Sequence, residues 1–549
     1  MNRRLTHLIF GAILLAYGLY AGVFIAKTIF VSSDGRLFTA LFDDMMISMT
    51  YARNLAEGHG LVWYPGAERV EGFSNPLWVV FMAGFHLLSI PENWISLALQ
   101  ISGGVFFIAS LFFLKKIAGQ AAPGQPGVML LAVLLTAFYY PLSNWSLLGL
   151  EVSLLLLMVN AGAFLALRTL AGGRYSRALY LLLGLATLVR VDAAVTYLTL
   201  WGLMVLFDRP NRRRHLLEGG IILILFLGGQ TLWRWLYYGQ WVPNTYTLKI
   251  EGFPLWARAR RGWEVFVLFV RGLYWPLFFL PFTVFLFRRD RKILLLALLF
   301  LAQAAYSIYV GGDSWEHRGG SNRFISLGMP AFMLLFSLAV WEWYGLARRL
   351  AARWLPRLEW LMKPALGLGV ALLVVFSMLM WNRLVDSYGP VTNLRAPKAG
   401  ALRYFFQLER SIYMPGSQRY VEDALVIRQV TQPQASVAMV AAGNICYFVQ
   451  RPCVDLHGKT DAFVARRDIQ VALDSDWETL QPGHIKFDYA YSIGQLQPDV
   501  IVELIGSTTD IAEKYLQNYA AVRLNGHNMY FKEESPFIDW EKLENAREN

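Results

Sequence analysis

The sequence lacks the short motifs by which nucleotide-driven proteins and several hydrolase classes are recognised. It contains no G-x-x-x-x-G-K-S/T, H-E-x-x-H or G-x-S-x-G motif and no dinucleotide-binding glycine pattern in the context that each chemistry requires. No sequence feature that could drive ATP-dependent transport is therefore visible. A clear internal repeat is also missing, although transporter chains often have repeat symmetry. Both absences disfavour a transporter.

Apolar residues are abundant. Hydrophobic residues make up 56% of the 549 residues and the mean hydropathy is +0.39, whereas soluble domains contain about 45–50% apolar residues. The first apolar run, Leu8 to Ala26, is long enough to cross a bilayer. Comparable runs follow near residues 98–114, 127–140, 148–167, 178–207, 219–236, 265–287, 293–310, 327–346 and 364–380. The sequence predicts a polytopic α-helical membrane protein with about 11–13 transmembrane helices.

Basic clusters between these runs predict the orientation, because Lys and Arg are enriched in cytoplasmic loops. The clusters are Arg3–Arg4, Lys115–Lys116, Arg168 to Arg177, Arg212–Arg214, Arg288 to Lys292 and Arg348 to Lys363. They explain most of the net charge of +11, so nucleic-acid binding is a poor interpretation of the basic composition. Residues 31–75, 139–147, 237–262, 311–326 and 381–549 are then predicted to lie outside.

The first predicted outer loop contains DDMMISMTYARNLAEGHGLVWYPGAERVEGFSNPLW, from Asp43 to Trp78. Its first part predicts a helix to about Glu57, because apolar residues recur at spacings of three and four from Met45 to Ala56. Such an amphipathic helix beside a membrane span is expected to lie in the interface plane with its acids at the water edge.

Two interpretations are open for the adjacent acids Asp43 and Asp44. Acidic residues are favoured at helix starts by capping and by the helix dipole. Alternatively, one of them is a general base at the mouth of a membrane-embedded active site. Neighbouring residues on a helix point about 100° apart, so the two acids should do different work. Asp44 is the preferred base because it shares a helix face with Ser48 and Tyr51.

Three later islands carry charge beside apolar runs. In LATLVRVDAAV, where a turn between two short helices is predicted, Arg190 and Asp192 are either a structural ion pair or a substrate contact. In RWLYYGQWVPNTYTLK, Arg234 and Lys249 are either snorkelling anchors or ligands of an anionic group. In VGGDSWEHRGGSNRF, the spacing around His317 fits no strong metal pattern. Arginines and glycines there favour a phosphate-binding loop.

Residues 381–549 change character and predict a small α/β domain, because short strand and helix patterns alternate. The predicted strands are ASVAMVA (435–441), CYFVQ (446–450), PDVIVEL (498–504) and AAVRL (520–524), and helices are predicted at VEDALVIRQV, DIAEKYLQNY and DAFVARRD. Cys446 and Cys453 both lie here and form either a disulfide or two buried free thiols. The polar cluster from Asp455 to Asp461 is either a hydrogen-bonded turn or a substrate contact.

These islands, taken in order, resemble the GT-C class of integral-membrane glycosyltransferases. The matching stretches are the first-loop sequence above, LVRVDA, RWLYYGQWVPNT with Lys249, VGGDSWEHRGGSNRF and VDLHGKTDAFVARR. The likeness is closest to the mycobacterial terminal arabinofuranosyltransferases and their bacterial relatives. It implies a multi-pass protein of the bacterial inner (plasma) membrane, with a catalytic module over residues 1–380 and a periplasmic or extracytoplasmic domain over 381–549.

The resemblance also implies an inverting transfer, from a polyprenyl-phosphate sugar to a hydroxyl of an envelope glycan or protein on the outer face. Asp44 or Asp43 would be the base, the sugar would be arabinofuranose, and a divalent cation is possible in this class. The residues assigned to the donor phosphate are Lys249, Arg323, Arg318 and Arg234. Those assigned to substrate are Tyr51, Arg53, Glu68, Arg69, Glu71, Arg190, Asp192, Asn244, Asp313, His317, His457 and Asp461. The outer domain is expected to bind acceptor and to be dispensable for donor binding.

The chain departs from the family pattern at three places. Thr50 stands where the relatives have Arg, SWEHRGGSN is inserted before Arg323, and Lys459 replaces a small apolar residue. These differences leave the acceptor and the sugar open. A flippase for a lipid-linked sugar and an inactive glycosyltransferase-like protein remain the alternative hypotheses.

Overall fold

The computed structural model describes residues 2–172, 174–354, 359–387, 394–395, 397–506 and 508–547. Parts of the predicted outer domain (388–393, 396, 507 and 548–549) and of the basic cluster Arg348 to Lys363 lie outside the described residues. Helices dominate the chain up to residue 381, and a mixed sheet follows, as the sequence predicts.

The helices before residue 382 are α1 (Arg3–Ala26), α2 (Asp43–Ala56), α3 (Pro76–His86), α4 (Ile95–Ala121), α5 (Pro126–Ala137), α6 (Tyr140–Leu147), α7 (Val152–Gly172), α8 (Arg177–Val189), α9 (Ala194–Phe207), α10 (Arg212–Tyr238), α11 (Asn244–Ile250), α12 (Leu255–Gly272), α13 (Trp275–Phe279), α14 (Arg291–Val310), α15 (Arg323–Ser326), α16 (Met329–Trp354) and α17 (Glu359–Trp381). A 3₁₀ turn at Val191–Ala193 separates α8 from α9, which confirms the predicted break at Arg190-Val191-Asp192.

Among the described residues, seven helices are long and apolar enough to cross a membrane, and up to nine crossings result if each of two bent helix pairs is one span. Shorter apolar helices lie at Pro76–His86, Arg177–Val189 and Val191–Phe207. The predicted 11–13 spans are reached only if these shorter helices cross as well. Helices at the periphery of the helical part expose apolar side chains. In α1, for example, Tyr17 is fully buried, whereas Leu15 and Leu19 are exposed, as expected for a helix with one side in lipid.

Helix α2 occupies the predicted segment, but it does not lie at a surface with one face in water. Met45, Met49 and Ala52 are buried, as predicted for the apolar side, yet Ser48, Thr50 and Tyr51 are buried too. The helix packs against α3 on one side and against α19 (Asn444–Val449) of the outer domain on another. The expectation that the acids of α2 lie at the water edge was therefore wrong, because a segment some 400 positions away in sequence covers its polar face. The place of α2 in the plane of the membrane interface stays a prediction.

The outer domain contains one five-stranded sheet with the order β6-β5-β7-β9-β8. Its strands are β5 (Val437–Met439), β6 (Cys453–Asp455), β7 (Val500–Ile501), β8 (Tyr519–Leu524) and β9 (His527–Lys532), and two-stranded ribbons pair β1 (Phe30–Val31) with β2 (Leu37–Phe38) and β3 (Val385–Ser387) with β4 (Lys398–Ala399). Strand β5 is parallel to β6 and β7, and β9 is antiparallel to β7 and β8. The helices here are α18 (Met414–Val430), α19, α20 (Ala462–Ala465), α21 (Thr509–Ala512) and α22 (Trp540–Arg547).

One predicted strand, CYFVQ at 446–450, is a helix instead. It falls in α19, between the parallel neighbours β5 and β6. Parallel neighbouring strands need a crossover connection, which is usually helical. All six residues of α19 are buried, so no alternation between apolar and polar residues distinguished helix from strand.

Cys446 in α19 and Cys453 in β6 form a disulfide, with Cα atoms 6.1 Å apart. The bond links the crossover helix to the edge strand that follows it. Of the two alternatives open from the sequence, the structure has the bonded one.

We expect the protein, produced in an oxidising compartment, to take up no thiol-alkylating reagent in denaturant. After reduction it should take up two equivalents, because both thiols belong to the disulfide. Intact mass measures both states, and a Cys446→Ser/Cys453→Ser variant, which should gain nothing in either state, is the control. Two equivalents bound without reduction would contradict the bond.

Candidate active site

Five charged side chains from distant parts of the sequence meet around the N-terminal end of α2. They are Asp44, Lys249, Asp313, Arg323 and Lys459, and we refer to them as the charge cluster. The first four come from the predicted outer loops 31–75, 237–262 and 311–326. Lys459 comes from the outer domain, 415 positions after Asp44.

Arg323 and Asp313 are the most closely paired members of the charge cluster. The Arg323 Nε and Nη2 atoms each donate to a different Asp313 oxygen at 2.6 Å, a bidentate geometry that fixes the guanidinium plane. Arg323 is the first residue of α15, whose N-terminus is capped by the Asn322 side chain. The remaining terminal nitrogen, Nη1, points at Asp44 at 3.4 Å.

Asp44 lies between two cations. Its Oδ1 accepts from the Lys459 Nζ at 2.9 Å, and its Oδ2 faces Arg323. Burial of the Asp44 carboxyl opposes ionisation, but Lys459, Arg323 and Lys249 outweigh that effect and hold its pKa well below the usual range. Asp44 is therefore a carboxylate at every physiological pH while these partners are in place.

Lys459 is held in position by a hydrogen-bonded turn. Asp455 accepts from the backbone amides of His457, Gly458 and Thr460. The Asn244 side chain donates to the carbonyl oxygens of Gly458, Lys459 and Asp461 at 2.9, 3.0 and 3.3 Å. Asn244, assigned to substrate from the sequence, thus ties a loop of the helical part to the outer-domain turn. The turn interpretation of the 455–461 cluster accounts for its backbone, and the Lys459 ammonium is left to face Asp44.

Lys249 has no hydrogen-bonding partner in the part of the chain that the structure describes. Its alkyl chain packs against Gly483, where a Cβ would come within 3.0 Å of the Lys249 Cε. Burial and the charge of Arg323 lower the pKa of Lys249 to about 8, although Asp44 and Asp313 act in the opposite direction. Near neutral pH most molecules therefore carry an ammonium here that no carboxylate fully compensates.

Asp43 does different work from its neighbour. Its carboxylate accepts from the backbone amides of Gly443 and Asn444, at 3.3 and 2.8 Å, and from the Asn444 side chain. Gly443 has no room for a side chain, since a Cβ would lie 1.8 Å from the Asp43 carbonyl oxygen. Asp43 therefore anchors α19 to α2. Since Asp43 and Asp44 both contact the outer domain, the expectation that this domain is dispensable for donor binding conflicts with these contacts.

A second polar network adjoins the charge cluster. Ser48 donates to Asn75, which donates to Glu151 at 3.2 Å. Arg190 in turn bonds Glu151 at 3.2 Å and Asp192 at 2.9 Å. The ion-pair interpretation of Arg190 and Asp192 therefore describes their contacts. Asn75, which the sequence analysis missed, stands directly before the first residue of α3, a helix-start position that could have marked it.

Several other predicted residues lie apart from the charge cluster. Arg234 forms a buried ion pair with Glu71, and Arg318 is exposed. Arg234 therefore already has an anionic partner, and the assignment of both residues to the donor phosphate stays a prediction. Burial raises the pKa of Glu71 to about 7 in spite of Arg234.

Of the remaining residues assigned to substrate from the first loop and the outer domain, some make structural contacts and others are exposed. The Tyr51 hydroxyl donates to the Val70 carbonyl, and Asp461 caps α20. Glu68 and Arg69 are exposed. Arg53 donates to the Tyr447 carbonyl and covers its ring, beside a separate cavity of about 280 Å³.

Two histidines border the charge cluster from the outer domain. The rings of His457 and His484 have centroids 4.9 Å apart, and Trp315 packs against His484 at 5.6 Å. Burial lowers the pKa of His457 to about 3 and lowers that of His484 as well, with Lys459 acting in the same direction. Both imidazoles are neutral near pH 7. His484 and Trp315 were not assigned to the site from the sequence, and nothing in QPGHIKF indicates that His484 lies beside the charge cluster.

The charge cluster does not fit a divalent cation. Amides occupy Asp43, two cations hold Asp44, and Arg323 engages both oxygens of Asp313. Among the described residues no group of three or more His, Cys, Asp or Glu side chains is placed to hold a metal ion.

Solved structures share this fold along almost the whole chain. ArnT from Cupriavidus metallidurans in the apo state gives a TM-score of 0.56 at 12% identity, covering 95% of this chain and 97% of that one. The same protein bound to undecaprenyl phosphate gives 0.53 at 12% identity, with coverage of 97% and 99%. An archaeal oligosaccharyltransferase, AglB from Archaeoglobus fulgidus in complex with an inhibitory peptide and a dolichol-phosphate, gives 0.52 at 11% identity, with coverage of 96% and 74%.

These neighbours are GT-C glycosyltransferases, and the protein is accordingly a multi-pass membrane protein of the GT-C fold with a C-terminal α/β sheet domain. Residues 410–537 match the model of a family described as a domain of unknown function (DUF8728). No curated protein matches the sequence.

His317 gives a test of this packing. It is buried between Trp145 and Tyr140, neither of its ring nitrogens has a partner among the described residues, and burial lowers its pKa to about 3. In the unfolded chain a histidine has a pKa of about 6.5 and takes up its proton first. Stability from neutral His317 is therefore present above pH 6.5 and is lost as pH falls toward 3.

On acidification from pH 7 to pH 5, we expect the detergent-solubilised wild-type protein to lose about 2 kcal/mol more unfolding free energy than His317→Gln. Thermal or denaturant unfolding at both pH values measures the difference. The exposed His59→Gln is the matched control and should follow the wild type. Equal losses in His317→Gln and the wild type would contradict the neutral, buried histidine.

Proposed function

We propose that the protein is a glycosyltransferase that moves a sugar from a polyprenyl-phosphate donor to an acceptor hydroxyl at the outer face of the bacterial inner membrane. The observation that carries the proposal is the Lys249 ammonium, which no carboxylate fully compensates, beside Arg323 and the carboxylate of Asp44. An ionised group taken out of water is costly unless it is paired, so this arrangement calls for an anionic ligand. A prenyl phosphate is the anion that a site among membrane helices would receive.

The fold neighbours support the class of donor. ArnT has been captured with undecaprenyl phosphate and AglB with a dolichol-phosphate, both long-chain prenyl phosphates. The resemblance of the first loop and later islands to arabinofuranosyltransferases suggests arabinofuranose as the sugar. The acceptor is proposed to be a hydroxyl of an envelope glycan or protein.

The proposed step is an inverting displacement. The acceptor oxygen bonds to the anomeric carbon while the bond from that carbon to the phosphate oxygen breaks, and its electron pair leaves with the phosphate. The hydroxyl proton goes to the Asp44 carboxylate. Lys249 and Arg323 stabilise the charge that develops on the leaving phosphate, and such electrostatic stabilisation is often the largest catalytic contribution.

The contacts support Asp44 rather than Asp43 as the base. Asp43 is buried and its oxygens accept from Gly443 and Asn444, whereas the Asp44 side chain is 14% exposed and its partners are the Lys459 and Arg323 side chains. His457 and His484 are proposed to border the acceptor side, as neutral groups able to exchange hydrogen bonds with a sugar.

We expect Asp44→Asn to lower the transfer rate by about 10²–10⁴-fold, the usual contribution of a positioned base, while the variant remains folded. Asp43→Asn keeps an oxygen acceptor for the α19 amides, so we expect a rate loss below about tenfold together with lowered thermal stability. Single-turnover transfer and thermal unfolding of purified variants separate the two effects. Full activity in both variants, or a loss in Asp43→Asn that matches Asp44→Asn without destabilisation, would refute the assignment.

The donor assay tests the function itself. Purified protein, radiolabelled polyprenyl-phosphate arabinose and separated envelope fractions should give Asp44-dependent transfer of label into one fraction. Replacing the arabinose donor by other polyprenyl-phosphate sugars tests the sugar. If intact donor instead crosses sealed vesicles that contain the protein and no acceptor, the protein is a flippase. If no label moves in either experiment, the transferase proposal fails.

A further inference from the structure

Asp44 occupies an anion position that a donor phosphate would also need. Its two oxygens face the Lys459 Nζ at 2.9 Å and the Arg323 Nη1 at 3.4 Å. Arg323 stays fixed by Asp313 whatever Asp44 does, because its other two nitrogens are engaged there. Lys249 is a third cation close enough to act on Asp44, so three positive groups lie around one carboxylate.

The position of Lys459 is fixed by the hydrogen bonds of its turn and by the burial of its side chain. Asn244 and Asp455 hold the turn that carries it, and its side chain is 8% exposed. Asp44 is the one hydrogen-bonded partner of the Lys459 ammonium among the described residues, although Asp43 and Asp455 also favour its charged form. A buried ammonium that is hydrogen-bonded to one carboxylate has donors left for a second anion.

We propose that Lys459 is a third ligand of the donor phosphate and that Asp44 holds its place until the donor binds. The inference rests on the proposed function and adds a residue that the sequence analysis left out of the phosphate site. On donor binding the phosphate replaces Asp44 as the partner of Lys459, and the ammonium stays neutralised throughout.

This exchange couples donor binding to the basicity of Asp44. The charged or titratable groups that face Asp44 are Lys459, Arg323, Lys249, Asp43 and His484. Once the phosphate engages the three cations, their effect on Asp44 weakens and burial favours its protonated form. Asp44 then accepts the acceptor's proton only when a donor is present. Its protonation removes a competitor for Lys459 and Arg323 as the leaving phosphate gains its second negative charge.

The test is undecaprenyl phosphate binding to the full-length protein in detergent, with Asp44→Asn, Lys459→Met and the double variant. We expect Lys459→Met to bind about tenfold or more weakly, since a charge-assisted bond to phosphate is lost. Asp44→Asn should bind several-fold more tightly, because the internal competitor is gone. In the Asp44→Asn background, Lys459→Met should again weaken binding about tenfold.

The double variant separates a phosphate ligand from a mere counterion. If Lys459 only neutralises Asp44, its removal has no effect on binding once Asp44 is Asn, and that result would overturn the inference. Lys459→Arg should recover most of the affinity. Lys532→Met, which removes an outer-domain lysine bonded to the Gln497 side chain, controls for the loss of one positive charge from the outer domain and should bind as the wild type does.

Failure of the two proposals is distinguishable. A wild-type protein that neither binds undecaprenyl phosphate nor transfers sugar overturns the proposed function, and this inference with it. A wild-type protein that binds and transfers, with affinity unchanged by Lys459→Met in the Asp44→Asn background, overturns only the role of Lys459.

Discussion

The Asp44 carboxylate, held between Lys459 and Arg323, is the interaction on which the arrangement of this protein depends. Ions removed from water must be paired closely, because the desolvation cost is otherwise not recovered. Here one carboxylate pairs with a lysine from the outer domain and with the arginine that begins α15. These ion pairs therefore fix α2, α15 and the turn that carries Lys459 relative to one another. Apolar packing alone would not orient these polar groups.

The features that follow from local pattern could be predicted from the sequence. The apolar runs give the spans, since a bilayer requires about 20 consecutive apolar residues. The charged pair in LATLVRVDAAV gives the break between α8 and α9, and the apolar run in ASVAMVA gives β5. The acids at the start of α2 and the charged loop at 311–326 were recognisable because buried charge is expensive and rarely placed without a partner or a role.

Features that depend on distant contacts could not be predicted. The sequence around α2 indicates an exposed polar face, but α19, Asn75 and the turn that carries Lys459 cover it. CYFVQ has strand-like composition, yet its place between two parallel strands requires a crossover. His484 has no local signal, because its importance comes from its position beside His457 and Trp315. Lys459 was noticed as a departure from a family pattern, but its partner, 415 positions earlier, was not apparent.

The contacts of the adjacent acids argue that the outer domain is part of the site rather than an attached module. Asp43 binds the amides at the start of α19, where Gly443 leaves no space for a Cβ. Asp44 binds the ammonium of Lys459 from the turn after β6. Successive helix positions point about 100° apart. Asp43 can therefore anchor the outer domain while Asp44 pairs with the positive charge that this domain carries on Lys459. Any shift of the sheet domain relative to α2 would then change the charge environment of Asp44. The position of the domain and the pKa of Asp44 are therefore coupled.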